Sequence, residues 1–344
     1  MFRFGLKMAI VGLLLSPSLA QAQKANATLS VTSANVTVVG KGSRPRWSPD
    51  GKYLGYLGSG KARLYDVTGD SSFAVGPALS EKFEWFDNQH MVFSHTKYFS
   101  GNIDGEFKVT SIAVDGKMQE LYSSSFSAQR AGWTLPIQLV RSTKGHLRIL
   151  DLGTASVHTL SLSRDVTERA ESSLLSDEYF VIANRHAELY RKWGQEPNND
   201  IWLINASGDP IRRIVEARGG IWMSPKLSDD AKLVLVEDGW GEVVYTVAGK
   251  LLGSVHPASG GQWVVGSSSF VYERVEDDGL RLTASDIYIS DSSCTIVTQL
   301  THTPDKIELY PVMSPDGNKL AYTDYLTGKL EIYAIPQEAS GEEK

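Results

Sequence analysis

The sequence has a single cysteine and lacks the common catalytic motifs. Cys294 is the only cysteine among 344 residues, so neither an intrachain disulfide nor a cysteine-based zinc site can form. There is no Gly-x-Ser-x-Gly, no His-Glu-x-x-His and no phosphate-binding glycine loop. We therefore expect no catalytic residue, no metal ligand and no cofactor, and a prolyl-peptidase-like hydrolase domain is excluded.

Basic charge is also scarce. The chain has 34 lysines and arginines against 40 aspartates and glutamates, a net charge of −6. Nucleic acids and anionic membranes both require a basic surface, so we expect neither as a partner. No cysteine follows the apolar N-terminal run, so no lipid anchor is expected, and this run is too short to span a bilayer.

The N-terminal segment has the features of a secretion signal. Arg3 and Lys7 precede an apolar run at residues 8–15, and small residues at two-residue spacing follow at residues 20–22. We expect residues 1–22 to be a signal peptide, residues 23–340 to form one domain and residues 341–344 to be a disordered tail. The mature chain would be periplasmic or secreted; a buried N-terminal helix is the alternative.

One segment recurs almost unchanged along the chain. Residues 45–54 read Pro-Arg-Trp-Ser-Pro-Asp-Gly-Lys-Tyr-Leu, residues 311–320 repeat the pattern, and residues 225–233 are a weaker copy. Serine, proline and glycine at these spacings favour a type I turn, and apolar strands lie on both sides. Each copy therefore predicts a β-hairpin.

A strand with an aromatic or aliphatic residue follows each hairpin, which gives seven repeats. The combined pattern resembles the TolB-like β-propeller repeat, though not TolB itself, because its extra α/β domain has no counterpart here. Copies centred on Trp47, Met313 and Leu227 match the pattern; spacing alone places the others at Trp85, Trp133, Leu175 and Val264. The resemblance implies an all-β propeller of four-stranded blades, with seven blades favoured and six possible. An N-terminal strand would close the ring by completing the last blade, after residues 331–335.

The second, fourth and sixth repeats are long between the centre of the hairpin and the outgoing strand. Their spans are 25, 27 and 24 residues, against 16 to 20 in the others. Loops on a rigid scaffold often bind ligands, and aromatic residues with arginine often anchor contacts, so we expect a binding site here. An alternative is that the aromatic side chains pack the loops onto the blades. The candidate ligand-binding residues are Lys97, Tyr98, His186, Tyr190, Arg191, Trp193, Trp222, Trp240, Arg274 and Glu308.

These observations favour a non-enzymatic binding or scaffolding module for an envelope or extracellular protein, peptide or glycan. The alternative is a carbohydrate-active enzyme, a polysaccharide lyase or glycosidase, with its site in the central funnel. Oligogalacturonate lyases have similar repeats and bind a metal through histidines and a glutamine, for which Gln299 and His302 are a partial match. A purely structural module is a third possibility. The candidate residues for the enzyme are Arg44, His302, Glu308 and Tyr310.

Overall fold

The computed structural model describes residues 35–79, 83–85, 87–98, 105–126, 138–143, 146–151, 156–161, 170–174, 179–184, 201–205, 210–216 and 222–336. The expected signal peptide at residues 1–22 and tail at residues 341–344 lie outside these ranges, as do the predicted repeat centres Trp133 and Leu175.

All regular elements longer than one turn are β-strands in this part of the chain. The first fourteen are β1 (Val36–Lys41), β2 (Ser43–Trp47), β3 (Tyr53–Gly58), β4 (Lys61–Asp66), β5 (Ser71–Pro77), β6 (Phe83–Trp85), β7 (His90–Tyr98), β8 (Gly105–Ala113), β9 (Met118–Phe126), β10 (Gln138–Thr143), β11 (His146–Asp151), β12 (Ser156–Ser161), β13 (Ala170–Leu174) and β14 (Tyr179–Asn184). The others are β15 (Ile201–Asn205), β16 (Pro210–Val215), β17 (Met223–Leu227), β18 (Leu233–Glu237), β19 (Glu242–Thr246), β20 (Leu251–Val255), β21 (Ser259–Trp263), β22 (Ser269–Asp277), β23 (Leu282–Asp291), β24 (Val297–Gln299), β25 (Glu308–Met313), β26 (Lys319–Asp324) and β27 (Lys329–Ala334).

The strands pair into small antiparallel sheets, which we number along the chain. Sheet 1 is β2–β5, sheet 2 is β6–β9, sheet 3 is β10–β12, sheet 4 is β13–β16, sheet 5 is β17–β20, sheet 6 is β21–β24, and sheet 7 is β25, β26, β27 and β1. Sheets 1, 2, 5, 6 and 7 have described side chains on each of their four strands. The structure therefore shows five fully described blades rather than the predicted seven, because sheet 3 is described by its backbone alone and sheet 4 has described side chains only on β15 and β16.

The N-terminal strand completes the last sheet. β1 pairs antiparallel with β27, with Val36 opposite Tyr333 and Lys41 opposite Lys329. This pairing confirms the predicted position of the N-terminal strand. Closure of a complete ring stays a prediction.

The hydrophobic cores lie between neighbouring sheets. One cluster joins Trp47 and Leu54 of sheet 1 to Val312 and Leu330 of sheet 7, and further clusters join sheets 1 and 2, 4 and 5, 5 and 6, and 6 and 7. Each fully buried large apolar side chain contributes roughly 1.5–3 kcal/mol. Sheets 1, 5, 6 and 7 each contribute to two of these clusters, one on each face, so each is stabilised by packing between two neighbours.

The predicted turns form between the first and second strands. Ser48 Oγ donates a hydrogen bond to Asp50 Oδ1 (2.8 Å) and accepts one from Tyr53 N (3.0 Å). The turns that begin at Ser228 and Ser314 repeat both bonds. The turn aspartates therefore stabilise the turns.

Tryptophan side chains connect neighbouring sheets. We call the first strand of each sheet its innermost strand. On three of these strands an indole N–H donates to a backbone carbonyl of the neighbouring sheet, at N···O distances of 2.9–3.2 Å: Trp47 to Val312 of sheet 7, Trp85 to Arg46 of sheet 1 and Trp263 to Lys226 of sheet 5. Val264 N donates a hydrogen bond to Ser269 O, just as Ser48 N donates one to Tyr53 O, so Val264 and Ser48 are at equivalent positions. The centre of the sixth repeat is therefore Trp263, and the predicted Val264 is wrong by one residue.

The connections divide between two faces of the molecule. Because successive strands run antiparallel, the first and third turns of a sheet lie at one end and its second hairpin at the other. We call the end with the turns after Ser48, Ser228 and Ser314 the turn face. The opposite end, where each innermost strand begins, is the hairpin face.

Candidate functional site

Four innermost strands share a bulge next to the hairpin face. In β2, β17, β21 and β25 the pairing register shifts at the same place. The bulged residue has a positive φ: Arg44 (58°), Ser224 (49°), Gly260 (67°) and Tyr310 (61°). Because the conformation recurs, it is a property of the repeat, and a bulge redirects the side chain that it carries. The sheets differ in which side chain occupies this position.

Sheets 1 and 7 place large side chains at the bulge, and these two meet. The Arg44 guanidinium lies 5.2 Å from the centroid of the Tyr310 ring, a cation–π distance. Sequence analysis named both residues as candidates for a funnel enzyme, and the structure brings this pair together. Sheets 5 and 6 have serine and glycine instead, so they have no such pair.

A cleft of about 540 Å³ surrounds this pair, between the first and last sheets. We call it the first–last cleft; it is lined by Lys41, Gly42, Ser43, Arg44, Leu57, Gly58, Ser59, Leu309, Tyr310, Thr323, Tyr325 and Gly328. Its volume is within the range of about 300–1,000 Å³ that ligand pockets have. The described part of its lining includes two cationic residues, Lys41 and Arg44.

Two residues that line this cleft, Thr323 and Tyr310, carry polar groups with distinct surroundings. The buried Thr323 Oγ1 has no hydrogen-bond partner among the described residues. The Tyr310 backbone N–H donates to Glu273 Oε2 of sheet 6 at 2.7 Å. The Glu273 carboxyl thus fixes the bulge that presents the Tyr310 ring.

A second buried glutamate accepts a hydrogen bond from the next residue of the bulge one joint earlier. Glu242 Oε1 accepts a hydrogen bond from Gly261 N at 2.6 Å, between sheets 5 and 6. Positions equivalent to Gly261 are Pro45, Pro225 and Pro311 in the other bulges, and proline has no N–H that needs an acceptor. Glu242 therefore accepts a hydrogen bond from a backbone N–H that, among these four bulges, only the one in sheet 6 has.

Burial sets the protonation of these carboxyls. It raises the pKa of Glu273 to about 7, although the bond from Tyr310 N opposes the shift. Burial raises the pKa of Glu308 to about 7 as well, against the hydrogen bonds from Thr301 and Thr303. The pKa of Glu242 is also raised by burial. All three side chains lie within the joints between blades, so packing accounts for these shifts.

The remaining enzyme candidates do not join Arg44 and Tyr310 through any described contact. Glu308 is fully buried, and its Oε1 accepts a hydrogen bond from Thr303 Oγ1 at 2.8 Å. His302 is exposed and lies near Gln299 and Asp286. No group of three or more metal-ligating side chains occurs within the described ranges.

The hairpin face carries the most exposed apolar side chains. Among the described residues, the four large hydrophobic side chains with the greatest exposure are Leu280 (95%), Trp240 (82%), Leu326 (61%) and Tyr325 (58%). Each lies at the second hairpin of sheet 5, 6 or 7. We call these four residues the apolar tips. Three consecutive sheets therefore expose large apolar side chains at the same face of the molecule.

Three of the predicted binding residues have described side chains on sheets 5 and 6. Trp240 is an apolar tip, and its binding role stays a prediction. Trp222 is half-buried and packs edge-on against Tyr245 at 5.9 Å, which is a packing role. Arg274 lies 4.2 Å above the Tyr288 ring, so it contacts its own sheet.

The other predicted residues fall outside what the structure describes in full. Lys97 and Tyr98 end β7, opposite Glu106 and Gly105, and their side chains are not described. The four residues of the fourth repeat, which are His186, Tyr190, Arg191 and Trp193, lie outside the described residues. Their binding role stays a prediction.

Sequence reasoning missed Lys41, Leu280, Thr323, Tyr325 and Leu326. The hairpin tips carried a usable signal, because an apolar residue within a polar turn is exposed by the turn itself. The position of Thr323 beside Arg44 carried none, because the two residues are at opposite ends of the chain.

No helix long and apolar enough to cross a membrane occurs in the part of the chain that the structure describes. No family model matches the sequence, and neither does any curated protein. Solved structures match the fold. A chain of the mitotic checkpoint complex matches with a TM-score of 0.57 and 12% identity over 97% of this chain and 98% of that chain.

Two further structures match in the same way. The complex of KlAtg21 with the coiled-coil of AgAtg16 gives a TM-score of 0.58 and 12% identity over 87% of this chain and 95% of that chain. The Dos1 propeller gives a TM-score of 0.50 and 14% identity over 85% of this chain and 78% of that chain. At these identities the similarity shows the fold alone, an all-β propeller.

Proposed function

We propose that this chain is a non-enzymatic propeller that binds a protein partner on its hairpin face. The observation that carries the proposal is the set of apolar tips, Trp240, Leu280, Tyr325 and Leu326, on three consecutive sheets. Burying such side chains against a partner is favourable, and aromatic residues with few rotamers are common anchors.

The solved structures support the choice of a protein as the partner. Two of them belong to assemblies, the mitotic checkpoint complex and the complex of KlAtg21 with a coiled-coil. The buried glutamates do not support an enzyme, since Glu273 and Glu308 accept hydrogen bonds inside the joints.

The proposal includes three finer statements from the sequence. The repeats are of the TolB-like kind, seven of them close into one ring, and the chain is secreted or periplasmic after loss of residues 1–22. The partner would then be an envelope or extracellular protein.

Site-specific photo-crosslinking tests the binding surface. A benzophenone amino acid would replace Trp240, Leu280 or Leu326 in producing cells, and crosslinked partners would be identified by mass spectrometry. Val265, exposed at 52% on the turn face, is the matched control position. We expect all three tips to crosslink to the same protein and position 265 not to. Crosslinks that are absent at the tips, or equally strong at position 265, would contradict the proposal.

A further inference from the structure

The central hairpin of sheet 6 reaches further than the central hairpins of the sheets on either side. β22 continues for seven residues past Phe270, whereas β26 of sheet 7 continues for four past Leu320 and β18 of sheet 5 for three past Val234. These three residues are equivalent, because each lies opposite the centre of its repeat. Three or four additional residues per strand extend a hairpin by roughly 10–13 Å. The β22–β23 hairpin therefore projects from the hairpin face between the tips of sheets 5 and 7.

The projecting part of this hairpin is exposed, and a leucine lies at its apex. Glu273 is buried and Val275 is half-buried, whereas residues 276–281 are all exposed. We call residues 276–281 the projecting tip. Leu280, in its turn, is 95% exposed. A turn forms equally well with a polar residue at this position, so the leucine is not needed for the fold. Its transfer from water into an apolar site on a partner would be favourable.

Hydrogen bonds fix the backbone on both sides of this leucine. Asp277 Oδ1 accepts a hydrogen bond from Gly279 N at 2.8 Å. Asp278 Oδ1 accepts bonds from Leu280 N and Arg281 N, both at 3.0 Å, and Asp278 N donates to Arg281 O at 3.1 Å. Because the turn is already ordered, little backbone entropy is lost when Leu280 binds.

Negative charge surrounds the exposed leucine. The projecting tip has three carboxylates, on Glu276, Asp277 and Asp278, and one cation, Arg281, which is a net charge of −2. Arg281 Nε lies 3.4 Å from Asp278 Oδ2, so the excess charge comes from Glu276 and Asp277. Basic side chains around an apolar site would complement this charge.

The neighbouring tips add a constraint on the shape of the partner. Trp240 of sheet 5 and Leu326 of sheet 7 lie on the two sides of the projecting tip, and both are exposed. A partner that contacts both side chains must also accommodate the longer hairpin between them. Its surface opposite sheet 6 therefore has a recess rather than a flat face.

From these observations we infer that the projecting tip inserts Leu280 into an apolar recess of the partner protein, and that lysine or arginine side chains surround this recess. The inference rests on the proposed function, because Trp240 and Leu326 contact the same partner. It assigns the shape and the charge of the partner surface.

Crosslinking from a neighbouring tip tests the leucine. The full chain with a benzophenone amino acid at position 240 would be purified, irradiated in an extract of the producing cells, and the crosslinked product quantified. Leu280→Ser removes the apolar side chain, Leu280→Met keeps one, and Val265→Ser, exposed on the turn face, is the matched control. Thermal unfolding verifies that each variant is folded.

We expect Leu280→Ser to lower the yield at position 240 at least about tenfold, because it removes a buried anchor. Leu280→Met and Val265→Ser should change it by less than about twofold. An unchanged yield in Leu280→Ser would overturn the inserted leucine.

The same readout tests the basic surroundings of the recess. Glu276→Gln/Asp277→Asn removes the excess charge, and the side-chain oxygen of asparagine can still accept the bond from Gly279 N. Asp115→Asn/Glu120→Gln, both exposed in sheet 2, is the matched control. We expect the first variant to lower the yield about threefold or more at low salt, with a smaller difference as salt rises. An equal or higher yield than in the wild type would overturn the basic surroundings.

The position of the crosslink from the projecting tip itself identifies the recess. A benzophenone amino acid at position 280 should attach to an apolar segment with lysine or arginine beside it, and mass spectrometry of the digested product locates this segment. Attachment to an acidic segment, or to a second copy of this chain, would overturn the inference.

The two proposals fail separately. Crosslinks at positions 240 and 326 that ignore both tip variants would remove the inserted tip and leave the binding surface in place. A crosslink from position 280 into a basic apolar recess, without crosslinks at positions 240 and 326, would leave the inserted tip and remove the wider surface. Absence of crosslinks at all three positions would remove both.

Discussion

Two joints between sheets use the same backbone and differ in what fills them. At the joint of sheets 5 and 6, the bulge positions are Ser224 and Gly260, and Glu242 hydrogen-bonds Gly261 N. At the joint of sheets 7 and 1, the bulges carry Tyr310 and Arg44 beside an open cleft.

The strand register identifies the substitutions behind this difference. Glu242 of sheet 5 lies opposite Glu237, and the equivalent pair in sheet 7 is Leu330 opposite Thr323. At the joint of sheets 5 and 6, the buried Glu242 carboxyl accepts a hydrogen bond from the Gly261 amide. At the joint of sheets 7 and 1, the equivalent positions hold leucine and threonine, and a cleft remains. The repeat thus provides a constant frame, and a few side chains decide whether a joint is sealed or open.

The tryptophan connection at the first–last joint should have the largest effect on stability. Trp47→Ala removes a buried side chain and its bond to Val312 O, so we expect a loss of about 3–5 kcal/mol in urea unfolding. Trp263→Ala should cost less, because Trp263 is only half-buried. Trp240→Ala, at an exposed tip, should change stability by no more than about 0.5 kcal/mol. Equal losses at Trp47 and Trp240 would contradict the packing described here.

The pH dependence tests the buried carboxyl behind the cleft. The pKa of Glu273 is about 7 in the folded chain against an ordinary value of 4.5, so its contribution is complete below pH 4.5 and is lost as pH rises through 7. Glu273→Gln should therefore be more stable than the wild type at pH 8, by up to about 3 kcal/mol, and similar to it near pH 4.5. Urea unfolding across this range measures the difference.

Exposed Glu276→Gln is the matched control, and it should follow the wild-type pH profile. A Glu273→Gln difference that is constant with pH would show that the pKa of Glu273 is the same in the folded and unfolded chains, contrary to the effect expected of its burial.

The sealed joint should respond to a smaller change. A Cβ at position 261 would lie 2.5 Å from Glu242 Cδ, so Gly261→Ala must displace the carboxylate. We expect a loss of about 1–3 kcal/mol in urea unfolding. Exposed Ser268→Ala in the same sheet should have almost no effect. If Gly261→Ala lowered the free energy of unfolding by less than the control does, the Glu242 carboxylate would not be held in place.

The repeats made most of the blade architecture predictable. Turn chemistry is local, so Ser48, Pro49 and Asp50 specify a hairpin without reference to the rest of the chain. The predicted centre of the sixth repeat was wrong by one residue because Val264 occupies the position of Ser48, Ser228 and Ser314 in other copies. The hydrogen bond from Val264 N to Ser269 O identifies Trp263 as the equivalent of Trp47. Among the predicted binding residues, Trp222 and Arg274 instead contact neighbouring rings, since sequence does not reveal which aromatic residues face each other.

By itself, the sequence determined that this chain is all-β, built of hairpin repeats, and completed by an N-terminal strand beside the last one. These features depend on short-range turn preferences and strand patterns, which each segment carries alone. Only the tertiary structure decided that Arg44 meets Tyr310, that Thr323 lines their cleft and that the apolar tips share one face. The residues of the cleft lie more than 260 positions apart in the sequence, and the apolar tips lie on three different sheets. The stacking of sheets, rather than any local pattern, sets the distances between them.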